Sequence, residues 1–321
     1  MIDLYTAPDD KMAYTTRYLK DLAKERGYPK FLKAYDLAGP SYLLITRPDG
    51  KTLKVYGSIP PTTSKFSADT ADNKWLSYQM LQQLPDVKQP ATVLLREDDD
   101  IVPEFLAQHH PIVVKPVDSA HGNGITINVT TAEEAAEAIH RASKYCRTPG
   151  IILQEQLPLG LPELRIICIN YQYTVAMARI PATVTGDGKN TLAQLIDYEN
   201  QHLRTPAYQS DLALIDQESA LKFLGSRAHT EIPANGEKVR VLSICNVGKG
   251  GTMEDMTDQI SPAQRQLSEQ IAHHLELPVI GIDFYGDYIV EVNASPALYQ
   301  PVKTENAKLA IVRFLDYLET L

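Results

Sequence analysis

The sequence predicts an α+β fold built from several lobes, on three observations. The chain has 321 residues, too many for one small core and enough for two or three lobes of ordinary domain size. A stretch near its middle, about 90–155, reads strand–loop–strand–helix–strand, which is a compact α+β unit. The remainder, 156–321, mixes strand-like runs such as "LRIICIN", "YTVAMARI" and "VIGIDFY" with helices.

Each lobe follows from local signals. Residues 1–72 form a small N-terminal lobe: a helix around Met12–Arg26, then the strands "SYLLITR" and "KTLKVYG" joined by the turn "PDG". "SIPPTTSKFSADTAD" reads as a polar connection, and 74–84 as a helix. The second lobe, 73–155 with that linking helix, has strands at "PIVVKPV", "GITINVT" and "IILQEQL". Its helix is Ala132–Cys146, where Thr131 and Glu134 make a capping box. In the third lobe, 156–321, Ser261-Pro262 starts a helix that runs to Leu275, proline being suited to the first helical position.

Composition excludes several function classes. The net charge is −9 with no basic tract, so nucleic-acid phosphates are not an expected partner. No apolar run approaches the roughly 20 residues that span a bilayer, and the first residues do not read as a signal peptide, so membrane association is not expected. Three scattered cysteines, Cys146, Cys168 and Cys245, argue for a reducing compartment, hence a cytoplasmic location, and against a disulfide frame or a zinc site.

The chemistry concentrates in three stretches. "GIDFYGDYIVEVN" reads as a hairpin turning near Gly286-Asp287. Glu291 and Asn293, two residues apart on a strand, share one face. With Asp283 on the other arm they make two carboxylates and a carboxamide oxygen, a hard donor set that suits Mg²⁺ shared with phosphate. A strict two-residue loop would put Asp283 opposite Val290 and on the wrong face. We therefore expect a three-residue loop, such as Tyr285–Asp287 pairing Asp283 with Ile289, or else a bulge. Val290 and Val292 are then expected to pack behind the site. "E-x-N" by itself also fits an exposed polar strand.

In "PIVVKPVDSAHGNGITI" a buried strand ends at Lys115-Pro116 and a small glycine-bearing loop, Ser119–Gly124, follows. Glycines let backbone N–H groups approach phosphate, and Lys115 adds positive charge. A glycine-bearing hairpin turn is the plain alternative. "ILQEQLPLGLPELR" offers Glu155 and Glu163 around a loop, where a carboxylate can accept from ribose hydroxyls; an exposed acidic loop fits equally.

Together, and in this order, "VVKPVDSAHGNGI", "GLPELRIICIN", "ARIPATVTGDGKNTLAQLI", "IPANGEKVRV", "CNVGKGGTMEDMTD" and "GIDFYGDYIVEVNASP" resemble the ATP-grasp ligases, in particular the ligase domains of cyanophycin synthetase and of the glutathione synthetases, including the fused bifunctional type. The resemblance runs from about Asn73 to Pro301. It implies an ATP-grasp fold: a small N-terminal lobe, a lid lobe and a C-terminal lobe, with ATP held between two sheets. It also implies an ADP-forming carbon–nitrogen ligase that makes an amide (peptide or isopeptide) bond on an amino acid or short peptide through an acyl phosphate. The cofactors implied are ATP and Mg²⁺, as a pair of ions, with Mn²⁺ as an alternative. The partners implied are small carboxylate and amine substrates, and a homodimer is allowed.

Residue by residue, the resemblance puts Lys74, Lys115, Ser119, His121, Gly122 and Gly124 on the ATP phosphates. It puts Glu155 and the backbone of Leu157 at adenine, and Glu163 at the ribose. Asp283, Glu291 and Asn293 hold the metal. Arg165 and Arg179 lie near the phosphates and the acyl group, and Asn246 with Gly248–Gly251, Gly250 and Gly251 among them, forms a glycine-rich loop near the substrates. The sequence departs from the family at Asn73, where an aspartate is usual, at Asn123, where a basic residue is frequent, and before Asn246, where Arg240 is the nearest substitute for a family arginine. "GDGKNT" reads as a turn and helix cap. Other readings are a nucleotide-binding regulator or assembly protein without ligase chemistry, and an enzyme that passes the acyl phosphate to a thiol or hydroxyl.

Overall fold

The computed structural model describes residues 5–6, 14–35, 42–95, 101–119, 122–204, 213–243, 245, 249–299 and 304–321. The chain divides into two compact units. The first is Met1–Ala176, Thr257–Tyr299 and Glu305–Leu321; the second is Met177–Met256 and Gln300–Thr304.

The first unit opens with a four-stranded antiparallel sheet in sequential order, β1 (Tyr5–Thr6), β2 (Lys30–Tyr35), β3 (Tyr42–Thr46) and β4 (Thr52–Val55), with α1 (Tyr14–Glu25) between its first two strands. Strand β2, "KFLKAY", was not expected. α2 (Lys65–Asp72) was not expected either, since its buried face is Ser67, Thr70 and Ala71 and carries no apolar stripe. Ser64 caps it, accepting from the Ser67 N–H. α3 (Lys74–Leu81) follows at once, capped by Asn73, whose Oδ1 accepts from the N–H groups of Trp75 and Leu76. An asparagine serves this cap as well as an aspartate, so the departure at position 73 keeps the helix start.

Next come β5 (Thr92–Leu95), α4 (Val102–Gln108), β6 (Ile112–Pro116), β7 (Thr126–Val129), α5 (Ala132–Ser143) and β8 (Ile151–Glu155). The four strands form an antiparallel sheet in the order β5-β8-β6-β7. Its core packs Phe105, Ile112, Val114, Val129, Leu153 and the alanine face of α5. The capping box is present: Thr131 Oγ1 accepts from Glu134 N–H at 3.1 Å, and the Glu134 carboxylate accepts from Thr131 N–H at 3.3 Å. Thr131→Ala should therefore cost about 1 kcal/mol, read as a shift of the urea midpoint at constant slope.

β9 (Glu163–Ile169) and β10 (Gln172–Ile180) begin a second sheet, and β10 runs on into the second unit. That unit holds β11 (Thr183–Thr185), α6 (Leu192–Tyr198), α7 (Gln217–Leu224), α8 (Arg227–Thr230), β12 (Lys238–Arg240) and β13 (Thr252–Asp255). β11 pairs with β12, and the second half of β10 pairs with β13, from Met177 opposite Asp255 to Ile180 opposite Thr252. Its core includes Val184, Leu192, Ile196, Ile215, Leu224 and Val241. "GDGKNT" is a turn and a cap: Asp187 Oδ1 accepts from the N–H groups of Lys189 and Asn190, and Thr191 with Gln194 makes a second capping box. β12 is short, with three residues.

The first unit closes with α9 (Pro262–His274), β14 (Val279–Tyr285), β15 (Tyr288–Asn293) and α10 (Leu309–Thr320). Ser261 caps α9 through Gln264 N–H. β9, β14 and β15 lie side by side and antiparallel. α10 ties the N-terminal sheet to this region: Arg26 pairs with Asp316 and Glu319, and the Tyr28 hydroxyl donates to Glu319. Among the described residues no helix is long and apolar enough to cross a membrane, and Cys146, Cys168 and Cys245 are free thiols.

Candidate nucleotide and metal site

The hairpin of β14 and β15 answers the parity problem with a bulge. Its loop has two residues, since Tyr285 pairs with Tyr288, and the register slips by one between Asp283 and Phe284, which leaves Val290 as the extra residue. A three-residue loop is not what the chain uses, and Asp283 pairs with Glu291 rather than with Ile289. Directly opposed residues share a face, so Asp283 and Glu291 are neighbours, and Asn293, two residues on, lies on the same face opposite Gly281. The bulge also changes which residues pack behind: Ile289 and Val292 are buried, whereas Val290 is half-buried beside Glu291. The expectation for Val290 is therefore corrected; an inserted residue shifts the alternation of those before it.

The same row extends onto β9, where Arg165 stands opposite Asp283. Arg165 grips Asp283 in a bidentate pair, Nε to Oδ1 at 2.6 Å and Nη2 to Oδ2 at 2.5 Å. Asp283 is 3% exposed. On the other side Glu291 pairs with Lys74, Oε1 to Nζ at 3.1 Å. The row is thus cation, carboxylate, carboxylate, cation, so each acidic side chain meets an opposite charge. Next to it the Asn293 side-chain nitrogen is buried with no hydrogen-bond partner. The amide oxygen and nitrogen exchange places on a flip, so an oxygen at that atom's place would be a buried acceptor lacking a donor. A hard cation beside two carboxylates fits such a group.

Lys74 starts α3 and is nearly buried. Its backbone N–H donates to Val117 O at 2.7 Å and its ammonium to Ser119 O at 2.7 Å, so it ties the entry of the glycine-bearing loop to the acidic face of β14 and β15. Lys115, at the end of β6, is 6% exposed and donates to Gln154 Oε1 at 2.8 Å. Gln154 Nε2 in turn donates to the Thr92 hydroxyl at 2.8 Å, and that hydroxyl to Pro90 O at 2.9 Å. Burial, then the nearby Lys74 charge, push the Lys115 ammonium down to about 8, with Glu291 opposing. Lys74, Tyr78, Lys115, Gln154, Val290 and Glu291 line one narrow crevice. A larger hollow of about 470 Å³, lined by Leu84, Asp86, Gln266 and His273 among others, contains none of the predicted site residues.

A depressed lysine destabilises the fold while it is charged in both states. The unfolded chain binds its proton up to the ordinary value of 10.5, the folded chain only up to about 8. Between these values the unfolded state holds more protons, so the Lys115 contribution to stability rises with pH. Binding of a polyanion runs the other way and needs the charged ammonium. Affinity for an ATP analogue in calorimetry should fall as pH rises through about 8, and Lys115→Met should flatten that profile.

Ser119 donates its hydroxyl to Asn123 O at 2.8 Å, closing the loop on itself. Gly122 has φ +77° with open space around it. Gly124 has φ +74°, and a Cβ there would lie 2.9 Å from Pro116 Cγ, so glycine is required by packing as well as by conformation. His121 lies outside the described residues. Glu155 turns its carboxylate to Ala91 N–H at 3.1 Å, and Leu157 is buried. Glu163 is half-buried at the start of β9, opposite Tyr285.

In the second unit Arg179 lies on β10 opposite Met253. Gly250 and Gly251 are buried just before β13, and Asn246 and Gly248 lie outside the described residues. The Arg240 guanidinium donates to Leu242 O at 2.7 Å and Ser243 O at 2.6 Å, so it organises the approach to the glycine loop. Sequence reasoning missed Gln154, Asn73's capping role and Arg204; only the first two lie next to residues already singled out.

Sheets that face a lysine-lined crevice, a glycine-bearing loop and an acid–acid–amide face are the features that the resemblance to the ATP-grasp ligases implies. The model for the prokaryotic glutathione synthetase ATP-grasp domain matches residues 79–209. Cyanophycin synthetase of Geminocystis herdmanii is 34% identical over 203 residues, 58% of this chain and 23% of that protein. The bifunctional glutathione biosynthesis protein of Clostridium perfringens is 29% identical over 298 residues, 85% of this chain and 37% of that one. The bifunctional glutathione synthetase structure from Pasteurella multocida superposes with TM-score 0.62 at 21% identity, covering 97% of this chain and 45% of that chain. The chain is thus related to the ATP-grasp ligase domains of cyanophycin and glutathione synthetases, and shares the fold of the bifunctional glutathione synthetase. It spans less than half the length of each of these relatives.

Proposed function

We propose that the protein is an ADP-forming carboxylate–amine ligase that acts on an amino acid or short peptide. The observation that carries this reading is the common face of Asp283, Glu291 and Asn293 beside Lys74 and Lys115. A binding-only protein needs no such donor set. Asp283, Glu291 and Asn293 would hold Mg²⁺, with Mn²⁺ as a substitute; the ion would offset phosphate charge. Lys74 and Lys115 would hold the phosphates, and the Ser119–Gly124 loop would cover them. Glu155, Leu157 and Glu163 would take adenine and ribose.

A carboxylate is a poor acyl donor until phosphate is its leaving group. In this reading a substrate carboxylate oxygen attacks the γ-phosphorus of ATP and ADP leaves. The amine then attacks the acyl carbon, phosphate leaves with the carboxylate oxygen, and the amine loses a proton. Two anions must meet in the first step, which explains the cations around the site. Arg179 and the Asn246–Gly251 loop would face the acyl group, and residues 1–72 would help select the acyl substrate. The free cysteines support a cytoplasmic setting. The test is phosphate release with ATP, Mg²⁺ and a panel of amino acids and dipeptides, singly and in pairs. Turnover that requires a pair supports the ligase; tight ATP binding without turnover on the whole panel favours a regulator.

A further inference from the structure

We propose that Arg204 is a positioning residue that fixes the Gly250–Gly251 turn, and that the turn is set by it for the acyl substrate. The second clause rests on the ligase reading. α6 does not simply stop at Tyr198; it widens into a π-helical turn, Glu199–Leu203. Such turns are rare and frequently lie at functional sites. Here the widened turn delivers Glu199, Asn200 and the following Arg204 to one buried cluster.

The Arg204 side chain is 4% exposed. Its Nη1 donates to Gly250 O at 2.6 Å and to Ala213 O at 2.9 Å, and its Nε to Glu199 Oε2 at 3.2 Å. Asn200 brackets Ile215 from both sides: Nδ2 donates to Ile215 O at 3.0 Å, and Ile215 N–H donates to Oδ1 at 2.8 Å. Ile215 in turn presses on the glycine turn, since a Cβ at Gly250 would lie 2.6 Å from Ile215 Cα. Asp216 adds a backbone bond to Lys249 O at 3.2 Å and an ion pair to Lys249 Nζ at 3.4 Å.

A buried guanidinium is costly to desolvate, and an apolar side chain would fill the same space at less cost. Placing it on a main-chain carbonyl makes sense where that carbonyl's direction matters. Gly250 has φ +101°, open to glycine alone. In a trans peptide the carbonyl and the next N–H point opposite ways. Drawing Gly250 O toward Arg204 therefore aims the Gly251 N–H away from the cluster. Arg204 thus sets the orientation of a backbone donor in the loop that the proposed function places beside the acyl group.

The test uses hydrogen exchange of the full chain, read by mass spectrometry, for wild type, Arg204→Met and Arg204→Lys. The methionine variant should exchange at least about tenfold faster across 249–252, with segments 111–116 and 279–293 unchanged. The lysine variant keeps the charge and the fold but cannot reach both carbonyls, and should fall between. Exchange at 249–252 within about twofold of wild type in Arg204→Lys, with Arg204→Met also unchanged or unfolded, overturns the proposal. In steady state with the substrates that the panel identifies, Arg204→Lys should raise the KM for the carboxylate at least about tenfold and leave the KM for ATP within about twofold. An unchanged carboxylate KM overturns the positioning role. A wild-type chain that turns over nothing on the panel overturns the ligase reading alone, while the exchange pattern still decides whether Arg204 holds the turn.

Discussion

Glu291→Gln is expected to abolish phosphate release, by at least about a thousandfold, and to leave the fold in place. The two halves of this expectation have separate causes. The Glu291 side chain is 34% exposed, and its ion pair with Lys74 is the partly solvated kind that contributes about 0–1 kcal/mol. Lys74 keeps its bond to Ser119 O when that pair is lost. Glutamine preserves the volume, so Ile289 and Val292 stay packed behind the strand. What disappears is the negative charge on a face that already carries Asp283 and Asn293. Activity within about tenfold of wild type, at an unchanged melting temperature, would falsify the assignment of Glu291 to the reaction.

Arg165→Met should do the reverse and strike stability first. Asp283 has a 5% exposed side chain, and both of its oxygens are held by Arg165. Removing the guanidinium takes both of these bonds from a buried carboxylate beside Glu291, at a cost of about 3–5 kcal/mol. The double variant Arg165→Met with Asp283→Leu removes both charges together. It should recover much of the loss, so the two single effects will not add. Urea unfolding of the three variants reads this directly. A loss below about 1 kcal/mol in Arg165→Met would place the pair among solvated bridges and contradict its burial.

How much of this was legible in the sequence depends on how local each signal is. Thr131 with Glu134, and Ser261 with Pro262, announce helix starts because cap and first turn are adjacent in the chain. The hairpin before Glu291 was legible as a parity constraint, but parity does not say which residue bulges, and the chain uses Val290 with a two-residue loop. α2 was invisible because Ser67, Thr70 and Ala71 bury a face without apolar periodicity. The cation–acid–acid–cation row was half legible: its members carry the family pattern, but the Arg165–Asp283 pair spans 118 residues. Arg204 had no signal. Its tie to Gly250 crosses 46 residues, and a lone arginine after a helix normally reads as a solvated end.

An acyl phosphate leaves its mark in the fate of the two carboxylate oxygens, and label transfer reads it. The carboxylate substrate is supplied with both oxygens as heavy oxygen, in ordinary water with ATP, Mg²⁺ and the amine. Each phosphate released should carry one heavy oxygen from the carboxylate, and the amide should retain the other. Phosphate that carries no label, with amide formed at the same rate, would contradict it.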